Sequence, residues 1–335
     1  MLRLLLSAEG QTTMEISTTM TTKFDLLTDD DLTPAQAQGL IDRAAELKAQ
    51  HRSGEPLHHI LPGKTLAMIF QKPSTRTRVA FEAGMAQLGG HALYLSSNDL
   101  QLGRGETIAD TARVLSRYVD AIMARVFKHN DVLELAQAAT IPVINGLSDL
   151  AHPTQGLADM LTVREHLGRW SGKKLTYLGN ANNMAHSLLL SGALVGLDVC
   201  IASPTTCRPA PEIVARAQAI AAQTGSTISI VDDPEEGIHL ADVIYTDVWV
   251  SMGQTLDSDT LAALQAYQVT ERVMKAAAPG AIFMHCLPMF RGQEATADVA
   301  DGPSSVIFDQ AENRLHLHKA LLYELLAHPS GGIFA

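Results

Sequence analysis

The sequence has few of the features that distinguish disulfide-rich, zinc-binding, membrane-spanning and secreted proteins. Its three cysteines are an odd number without the spacing of metal ligands, which argues against a disulfide framework or a zinc site and favours a reducing compartment, the cytoplasm. No apolar run approaches the roughly 20 residues that span a bilayer. The opening run Met1–Leu6 is too short for the core of a signal peptide. Residues 1–22 are predicted to form a flexible polar tail, in which Met1, Met14 and Met20 are all candidate starts.

Positive charge is also scarce. The 335 residues hold 25 Lys and Arg against 36 Asp and Glu, a net charge of −11, which argues against binding to nucleic acid or to an anionic membrane. Hydrophobic residues make up 46% and charged residues 18% of the chain, an ordinary composition for a globular protein. Because this length exceeds the usual size of a single core, we expect two domains.

What is present is an alternation of short apolar segments with helical patterns. Continuous apolar strands separated by helices predict parallel sheets covered on both faces, and hence an α/β fold with two such domains. The predicted strands are 65–70, 91–95, 120–124 and 141–145 in a first series, and 174–178, 198–202, 227–231, 242–245 and 281–285 in a second. Among the predicted helices, one opens at Thr33-Pro34 and ends at Gly54, one covers 153–167, and the last covers 311–327.

The most informative motif is Ser74-Thr75-Arg76-Thr77-Arg78, which lies between a predicted strand and a predicted helix. A helix N-terminus offers unpaired N–H groups, hydroxyls add donors, and guanidiniums form forked charge-assisted hydrogen bonds. All five side chains are therefore suited to a phosphate, and the motif predicts an anion pocket. The alternative is that the Ser and Thr residues only cap the helix and the Arg residues are solvated.

Further polar loops follow predicted strands, where open parallel sheets bind their ligands. In His152-Pro153-Thr154-Gln155, the imidazole and the carboxamide can both point toward a carbonyl oxygen, or can cap and solvate a helix start. Asp149 can orient His152 or cap the same helix. The segment 247–253 begins with a carboxylate suited to an ammonium group, although an Asx turn is the alternative.

Two other sets of residues invite a chemical interpretation. Cys286 stands beside His285, but adjacent residues at a strand end point to opposite faces, which argues against a Cys–His nucleophile pair. The paired asparagines Asn182 and Asn183 suit hydrogen bonding to a polar small molecule. The histidines without a partner pattern are interpreted as surface or core residues, namely His91, His129, His186, His316 and His318.

Together these motifs resemble a known family. The run Phe70–Arg78 with Phe81-Glu82, the turn His152–Gln155, Asp247 with Ser251-Met252-Gly253, and His285-Cys286-Leu287-Pro288 resemble, in this order, the motifs of ornithine carbamoyltransferases, a branch of the aspartate/ornithine carbamoyltransferase superfamily. The resemblance extends from about residue 24 to 330. It implies a carbamoyl phosphate-binding domain over 23–165 and an ornithine-binding domain over 166–311, with a C-terminal helix, about 312–330, that returns to the first domain.

The resemblance also implies roles for individual residues. Those implied to bind carbamoyl phosphate are Ser74, Thr75, Arg76, Thr77, Gln101, Arg125, His152, Gln155, Cys286, Leu287 and Arg314. In the family's trimers, Gln101 would reach the site of a neighbouring subunit. Those implied to bind ornithine are Asn183, Asp247, Ser251 and Met252. Those implied to act in catalysis are Arg76, Arg125, His152, Gln155 and Cys286.

The implied reaction is attack of the neutral δ-amine of L-ornithine on carbamoyl phosphate, through a tetrahedral oxyanion, to give L-citrulline and phosphate in arginine metabolism. Because the leaving phosphate is already activated, we expect no metal or organic cofactor. The expected assembly is a homotrimer or a multiple of trimers. Asp247 is expected to bind, since an ordinary carboxylate is poorly matched to the proton of an ammonium group.

Several alternatives stay open at this level. The acceptor can be another amine, such as an N-acylornithine or putrescine, or the chain can be a catalytically silent ligand-binding homologue. The direction of the reaction in the cell and the group that takes the proton are also open. Two positions depart from the family pattern: Asn180 stands where Asp is usual, and Met289-Phe290 stands where Ala-His is usual.

Overall fold

The computed structural model describes residues 23–101, 105–251, 255–328 and 332–334. The predicted tail, residues 1–22, and the predicted ornithine contact Met252 lie outside these ranges. Within them, the chain forms two parallel sheets, each flanked by helices, so the predicted fold class is confirmed. In the same ranges, no helix combines the length and the apolar character needed to cross a bilayer.

The first sheet has four strands in the order β2-β1-β3-β4. They are β1 Thr65–Phe70, β2 His91–Ser96, β3 Ala121–Arg125 and β4 Val143–Leu147. The helices of this half are α1 Pro34–Ser53, α2 Thr75–Leu88, α3 Ile108–Leu115 and α4 His129–Ala138. Strand β4 begins two residues later than predicted. Its first N–H, on Val143, donates to Asp25 Oδ1 at 2.8 Å, and the preceding residue, Pro142, has no N–H to give.

The second sheet has five strands in the order β7-β6-β5-β8-β9. They are β5 Lys174–Leu178, β6 Asp198–Ala202, β7 Ile228–Val231, β8 Val243–Thr246 and β9 Ile282–His285. The helices between and after them are α6 Asn183–Val195, α7 Pro211–Thr224, α8 Pro234–Ile238, α9 Ser258–Leu264, α10 Glu271–Ala276 and α11 Ala297–Ala300. The strand order turns around at β5, and ligands of open α/β sheets bind at such a switch point.

Local sequence signals set the ends of the opening helix as predicted. The Thr33 hydroxyl accepts a hydrogen bond from the Gln36 N–H at 3.3 Å, and the Gln36 carboxamide oxygen accepts one from the Thr33 N–H at 2.9 Å. This capping box, with Pro34 at the first helical position, fixes the start of α1. Gly54 ends the helix at φ +78°, a left-handed conformation that glycine adopts without strain.

Two long helices join the halves of the molecule. They are α5, Pro153–Leu167, and α12, Ile307–Leu326. Helix α12 begins four residues earlier than predicted and packs on α1, α2 and α5, while α5 also packs on α6. The C-terminal helix thus returns to the helices of the first half. One continuous buried core, which includes Leu40, Met68, Leu161, Leu188 and Leu321, runs through this junction.

Candidate active site

A cavity of about 670 Å³ opens where the carboxyl ends of the two sheets face each other. Loops after β1, β3, β4, β5, β8 and β9 line it together with α12. The structure brings thirteen of the predicted site residues to this cleft: Ser74, Thr75, Arg76, Thr77, Arg125, His152, Gln155, Asn183, Asp247, Ser251, Cys286, Leu287 and Arg314. Gln101 is exposed and is not among the described residues that line it.

The N-terminus of α2 forms one end of the cleft. Ser74 is its N-cap, and the Ser74 hydroxyl accepts a hydrogen bond from the Thr77 N–H at 3.2 Å while its side chain also faces the cavity. Arg76 on the first turn points into the cleft. Arg78 does not, although the motif suggested it: its guanidinium lies 3.8 Å from the ring centroid of Tyr94, and its Nε donates to Glu82 at 3.0 Å. Four of the five motif residues therefore line the cavity, and Arg78 is the one that does not.

Two buried guanidiniums complete this cationic end. Arg125, at the end of β3, is 7% exposed, and Arg314, on α12, is 2% exposed. Burial lowers the pKa of each to about 10, helped in both cases by the neighbouring arginines. Both therefore stay charged at neutral pH. The Nε atoms of both residues lack a hydrogen-bond partner within the described part of the chain, so this end of the cleft is arranged to receive an anion.

The turn at the start of α5 holds the predicted histidine. The His152 N–H donates to Ser187 Oγ at 2.8 Å, and that hydroxyl donates to Asp29 Oδ2 at 2.6 Å, so α6 anchors the turn. Burial, together with Arg314 and Arg125, lowers the pKa of His152 well below its usual value, which keeps the imidazole neutral. Asp149 does not orient it, because the Asp149 carboxylate accepts the His129 N–H at 2.7 Å and caps α4.

Asp247 forms the other end of the cleft, after β8. Its Oδ2 accepts a hydrogen bond from Asn182 Nδ2 at 2.9 Å, and its Oδ1 accepts one from Cys286 Sγ at 3.2 Å. Burial and the Asp247 charge raise the pKa of the Cys286 thiol well above its usual value, so it remains protonated. Asn182 Nδ2 also lies 3.4 Å from Ser251 Oγ, which brings the loop after β8 toward the same carboxylate.

His285 and Cys286 diverge, although they are adjacent. His285 Nδ1 accepts the Leu287 N–H at 2.8 Å, and His285 Nε2 lies 3.2 Å from Glu294 Oε1. Ligand atoms of Asp247, His285 and Cys286 lie within 4.8 Å of one another, but with both ring nitrogens engaged in this way we assign them no metal. The imidazole instead fixes Leu287, whose backbone is held at φ +60°.

Sequence comparisons match both halves of the chain. A model described as the carbamoyl-P binding domain of aspartate/ornithine carbamoyltransferase matches residues 25–165, and one described as the Asp/Orn binding domain matches residues 171–325. The chain belongs to the aspartate/ornithine carbamoyltransferase family. It is 53% identical to the ornithine carbamoyltransferase of Pyrococcus abyssi over 90% of this chain and 95% of that protein. It is also 53% identical to that of Bacillus subtilis over 90% and 93%.

Solved structures of ornithine carbamoyltransferases are also similar to this chain in fold. The ornithine carbamoyltransferase of Pyrococcus furiosus superposes with a TM-score of 0.88 at 51% identity, over 92% of this chain and 98% of that one. That from Thermus thermophilus superposes with a TM-score of 0.81 at 40% identity, over 90% and 98%. The likeness covers both domains, so the family relation applies to the chain as a whole.

One of the two departures from the family pattern now has a structural role. The Asn180 carboxamide donates to the Trp249 carbonyl oxygen at 2.8 Å and ties the loop after β5 to the loop that carries Ser251. The carboxylate of an aspartate at this position would have no proton to donate to that oxygen. At the second departure, Phe290 is 56% exposed and lines the cavity.

Several residues of the site were not predicted from the sequence. Lys72 is buried beside the cleft, and His318, interpreted as a surface or core histidine, lies with Nε2 3.3 Å from an Arg314 nitrogen. Asp159 accepts a hydrogen bond from Gln155 Nε2 at 2.7 Å. Asp159 and His318 each lie four residues after a predicted site residue on the same helix. That spacing is the signal by which the sequence could have revealed both.

Proposed function

We propose that this protein transfers the carbamoyl group of carbamoyl phosphate to the δ-amine of L-ornithine, giving L-citrulline and phosphate in arginine metabolism. The observation that carries the proposal is the pairing of opposite charges in one cleft. Arg76, Arg125 and Arg314 stand at one end, and the buried carboxylate of Asp247 stands at the other. This arrangement suits a phosphate-bearing substrate beside an amino acid with an α-ammonium group.

At the cationic end, the phosphate binds to the α2 N-terminus. Backbone N–H groups there, with the hydroxyls of Ser74, Thr75 and Thr77, add donors to the guanidiniums of Arg76 and Arg125. The orphaned Nε atoms of Arg125 and Arg314 are buried donors that an anionic substrate satisfies. Carbamoyl phosphate therefore gains most of its affinity from this end, and its carbamoyl group extends toward His152 and Gln155.

At the acidic end, ornithine binds through its amino-acid group. Asp247 receives the α-ammonium, while Asn183 and Ser251 supply polar contacts from the two loops that meet there. Met252, which lies outside the described residues, belongs to the same loop and is proposed to take part. A dicarboxylate acceptor such as aspartate is disfavoured, because its second carboxylate would face Asp247.

The reaction then needs no protein nucleophile. The neutral δ-amine attacks the carbamoyl carbon, the carbonyl oxygen gains negative charge, and the C–O bond to phosphate breaks. Neutral His152 donates a hydrogen bond to that oxygen, and Arg76 and Arg125 stabilise the charge on oxygen and on phosphate; loss of one such donor costs about 10²–10³ in rate. Holding two substrates in one cleft supplies much of the remaining rate enhancement. The leaving phosphate is proposed to accept the proton of the amine.

The direct test is citrulline formation from carbamoyl phosphate and L-ornithine, with putrescine, N-acetylornithine and aspartate as parallel acceptors. Strong selectivity for ornithine is the expected result. Turnover with only another amine would keep the phosphate end and overturn the ornithine end. No phosphate release with any amine, in a folded protein, would favour a silent ligand-binding homologue.

We also propose a homotrimer in the cytoplasm, in which Gln101 completes a neighbour's carbamoyl phosphate site. Strand β2 is an edge of the first sheet, and Leu93, Tyr94 and Gln101 near that edge are exposed. The three cysteines are free, which fits a reducing compartment. The proposed division of labour assigns 23–165 and the C-terminal helix to carbamoyl phosphate and 166–311 to ornithine.

The trimer proposal has its own test. Gln101→Ala is expected to raise KM for carbamoyl phosphate about tenfold, because one hydrogen-bond partner is lost, while sedimentation still shows a trimer. A trimer with an unchanged KM would contradict the shared site. A monomeric wild-type protein with full activity would contradict the assembly.

A further inference from the structure

Behind the cleft lies a fully buried carboxylate that touches none of the proposed substrate positions. Asp159, one turn along α5 from Gln155, is 0% exposed. Its Oδ1 accepts hydrogen bonds from Gln155 Nε2 at 2.7 Å and from Gln310 Nε2 at 2.8 Å. Its Oδ2 accepts one from the Tyr245 hydroxyl at 2.8 Å. Donors from α5, α12 and β8 thus converge on a single side chain.

This arrangement decides which way the Gln155 carboxamide points. A carboxylate only accepts hydrogen bonds, so the amide nitrogen of Gln155 must face Asp159. The Gln155 oxygen is then turned toward Arg314, whose guanidinium donates to it. A flipped amide would set its oxygen against the carboxylate and its nitrogen against the guanidinium, two repulsive contacts in place of two favourable ones.

The same network reaches the opposite end of the cleft. Gln310 Nε2 also lies 3.1 Å from the Tyr245 hydroxyl, and Gln310 Oε1 accepts the His285 N–H at 2.9 Å. Tyr245 lies on β8, which is followed by Asp247, and His285 is the last residue of β9, which is followed by Cys286. A shift of the carboxylate would therefore disturb both ends of the cleft through groups that are already hydrogen-bonded.

We propose that Asp159 is a positioning residue for carbamoyl transfer, which fixes the orientation of the Gln155 carboxamide and ties it to the strand ends that bind the acceptor. The inference rests on the proposed function, because only that function gives Gln155 a substrate to contact. Asp159 itself touches neither substrate. Its effect is exerted through Gln155, and it depends on the carboxylate being an acceptor on both of its oxygens.

That condition depends on pH. Burial raises the pKa of Asp159 to about 7, against the opposing effect of its three hydrogen bonds and of Arg314. The other titratable or charged groups that interact with it are Tyr245 on β8, Cys286 after β9, and Arg314 on α12. Of these, the thiol and the phenol are protonated and the guanidinium is charged near pH 7. Asp159 is thus the member of this set that changes charge there.

Protonation converts one carboxylate oxygen of Asp159 into a donor that faces other donors. As the pH falls through about 7, the Gln155 orientation is lost and kcat/KM for carbamoyl phosphate should decrease. Loss of the Tyr245 hydroxyl removes a bond that favours the charged form. In the pH profile of kcat/KM for Tyr245→Phe, the decrease on the acidic side (the acidic limb) should therefore lie at higher pH than in wild type. Above that pH, kcat/KM should equal the wild-type value.

The experiment compares wild type, Asp159→Asn and Tyr245→Phe by kcat and KM for each substrate from pH 6 to 9. Asp159→Asn is expected to lower kcat/KM for carbamoyl phosphate by about 10–100-fold, the effect of a lost charge-assisted hydrogen bond, and to lose the acidic limb near pH 7. KM for ornithine should change less than this, because Gln310 still accepts the His285 N–H in this variant. Ser191→Ala, which removes a buried hydroxyl of α6 that donates to the Ser187 carbonyl, is the matched control and should retain the wild-type limb.

The possible results of this experiment distinguish a failure of the proposed function from a failure of the role inferred for Asp159. A wild-type protein that forms no citrulline overturns the proposed function and this inference with it. If wild type is active and Asp159→Asn keeps its kcat/KM and its limb, the inference alone is wrong. If Asp159→Asn does not fold, Tyr245→Phe decides, because an unshifted limb in that folded variant overturns the role of Asp159, as does an equal shift in Ser191→Ala.

Discussion

At the scale of single residues, burial sets the charge state of the groups in the cleft. His152 is neutral because desolvation and two nearby guanidiniums oppose its protonation. Cys286 is protonated because desolvation and the Asp247 carboxylate oppose its ionisation. A neutral imidazole donates a hydrogen bond without adding charge to a cationic site, and a protonated thiol cannot compete with the amine as a nucleophile.

The thiol state leads to a prediction about Cys286. Because its pKa lies well above the usual value, its alkylation by iodoacetamide should be much slower than that of a free thiol at pH 7.5 and should rise only at strongly alkaline pH. Cys286→Ser should keep kcat within about tenfold, since a hydroxyl donates the same bond to Asp247. Mass spectrometry of the alkylated protein measures the first effect, and citrulline assays measure the second. Rapid labelling at pH 7.5 would show that the thiolate forms there.

At the scale of elements, the active-site turn depends on a segment far away in sequence. The residues 29–31 form a short 3₁₀ helix, and the Asp29 carboxylate accepts the Ser187 hydroxyl that in turn holds the His152 N–H. Asp29 is 0% exposed, and its Oδ1 has no partner within the described ranges. Burial and the charges of Asp30 and Asp31 raise the pKa of Asp29 well above the usual value.

This raised pKa predicts how stability depends on pH. The native state binds the Asp29 proton more tightly than the unfolded state does, so its contribution to stability is complete below pH of about 4 and is lost as pH rises toward the native pKa. Asp29→Asn mimics the protonated form and should gain stability relative to wild type from pH 5 to pH 8, by up to about 1.4 kcal/mol per pH unit. Urea unfolding at both pH values measures the difference. If the stability difference between Asp29→Asn and wild type is the same at pH 5 and at pH 8, the pKa of Asp29 is not raised.

At the scale of the whole molecule, an acidic protein concentrates positive charge in one cleft. The net charge is −11, yet Arg76, Arg125, Arg314 and Lys72 all line the same cavity. Like charges held together raise the free energy of the empty protein, and an anion relieves this repulsion. The binding of an anion should therefore stabilise the folded state as well as prepare it for reaction.

Inorganic phosphate provides the test. At about 100 times its Kd, phosphate should raise the free energy of unfolding by about 2.7 kcal/mol, and chloride at equal ionic strength should not. Arg125→Gln should abolish most of the rise in Tm. Arg291→Gln is a suitable control, because Arg291 forms an exposed ion pair with Asp301 outside the cleft. An equal phosphate effect in both variants would place the anion elsewhere.

The sequence predicted best those features that depend on neighbouring residues. The strands 65–70, 174–178 and 198–202 and the helix 153–167 match the structure at both ends, because their apolar runs and caps are local. The start of β4 was misplaced because Asp25, more than a hundred residues away, sets it. Arg78 and Asp149 were assigned to the wrong partners, since Tyr94 and His129 are brought to them only by tertiary folding.

Candidate site residues were predicted where motifs place several polar groups together. The network of Asp159, Tyr245 and Gln310 was not, because its members lie on three separate elements and each one alone has the appearance of an ordinary helix or strand residue. The resemblance to a family identified the residues that face the cleft. The groups that hold those residues in place do not line the cleft, and only the interatomic distances in the structure identify them.

Helix α12 also has a consequence for how the chain is made on the ribosome. The second sheet lies, in sequence, between α5 and the helix that completes the packing of α1, α2 and α5. The apolar face that will receive Leu317, Leu321 and Leu325 therefore stays uncovered while the whole second domain is synthesised, on the order of 10 s at usual elongation rates. During that interval the nascent first domain exposes an apolar surface to which chaperones and other nascent chains can bind. The packing of α12 thus covers a surface formed by helices that were synthesised much earlier.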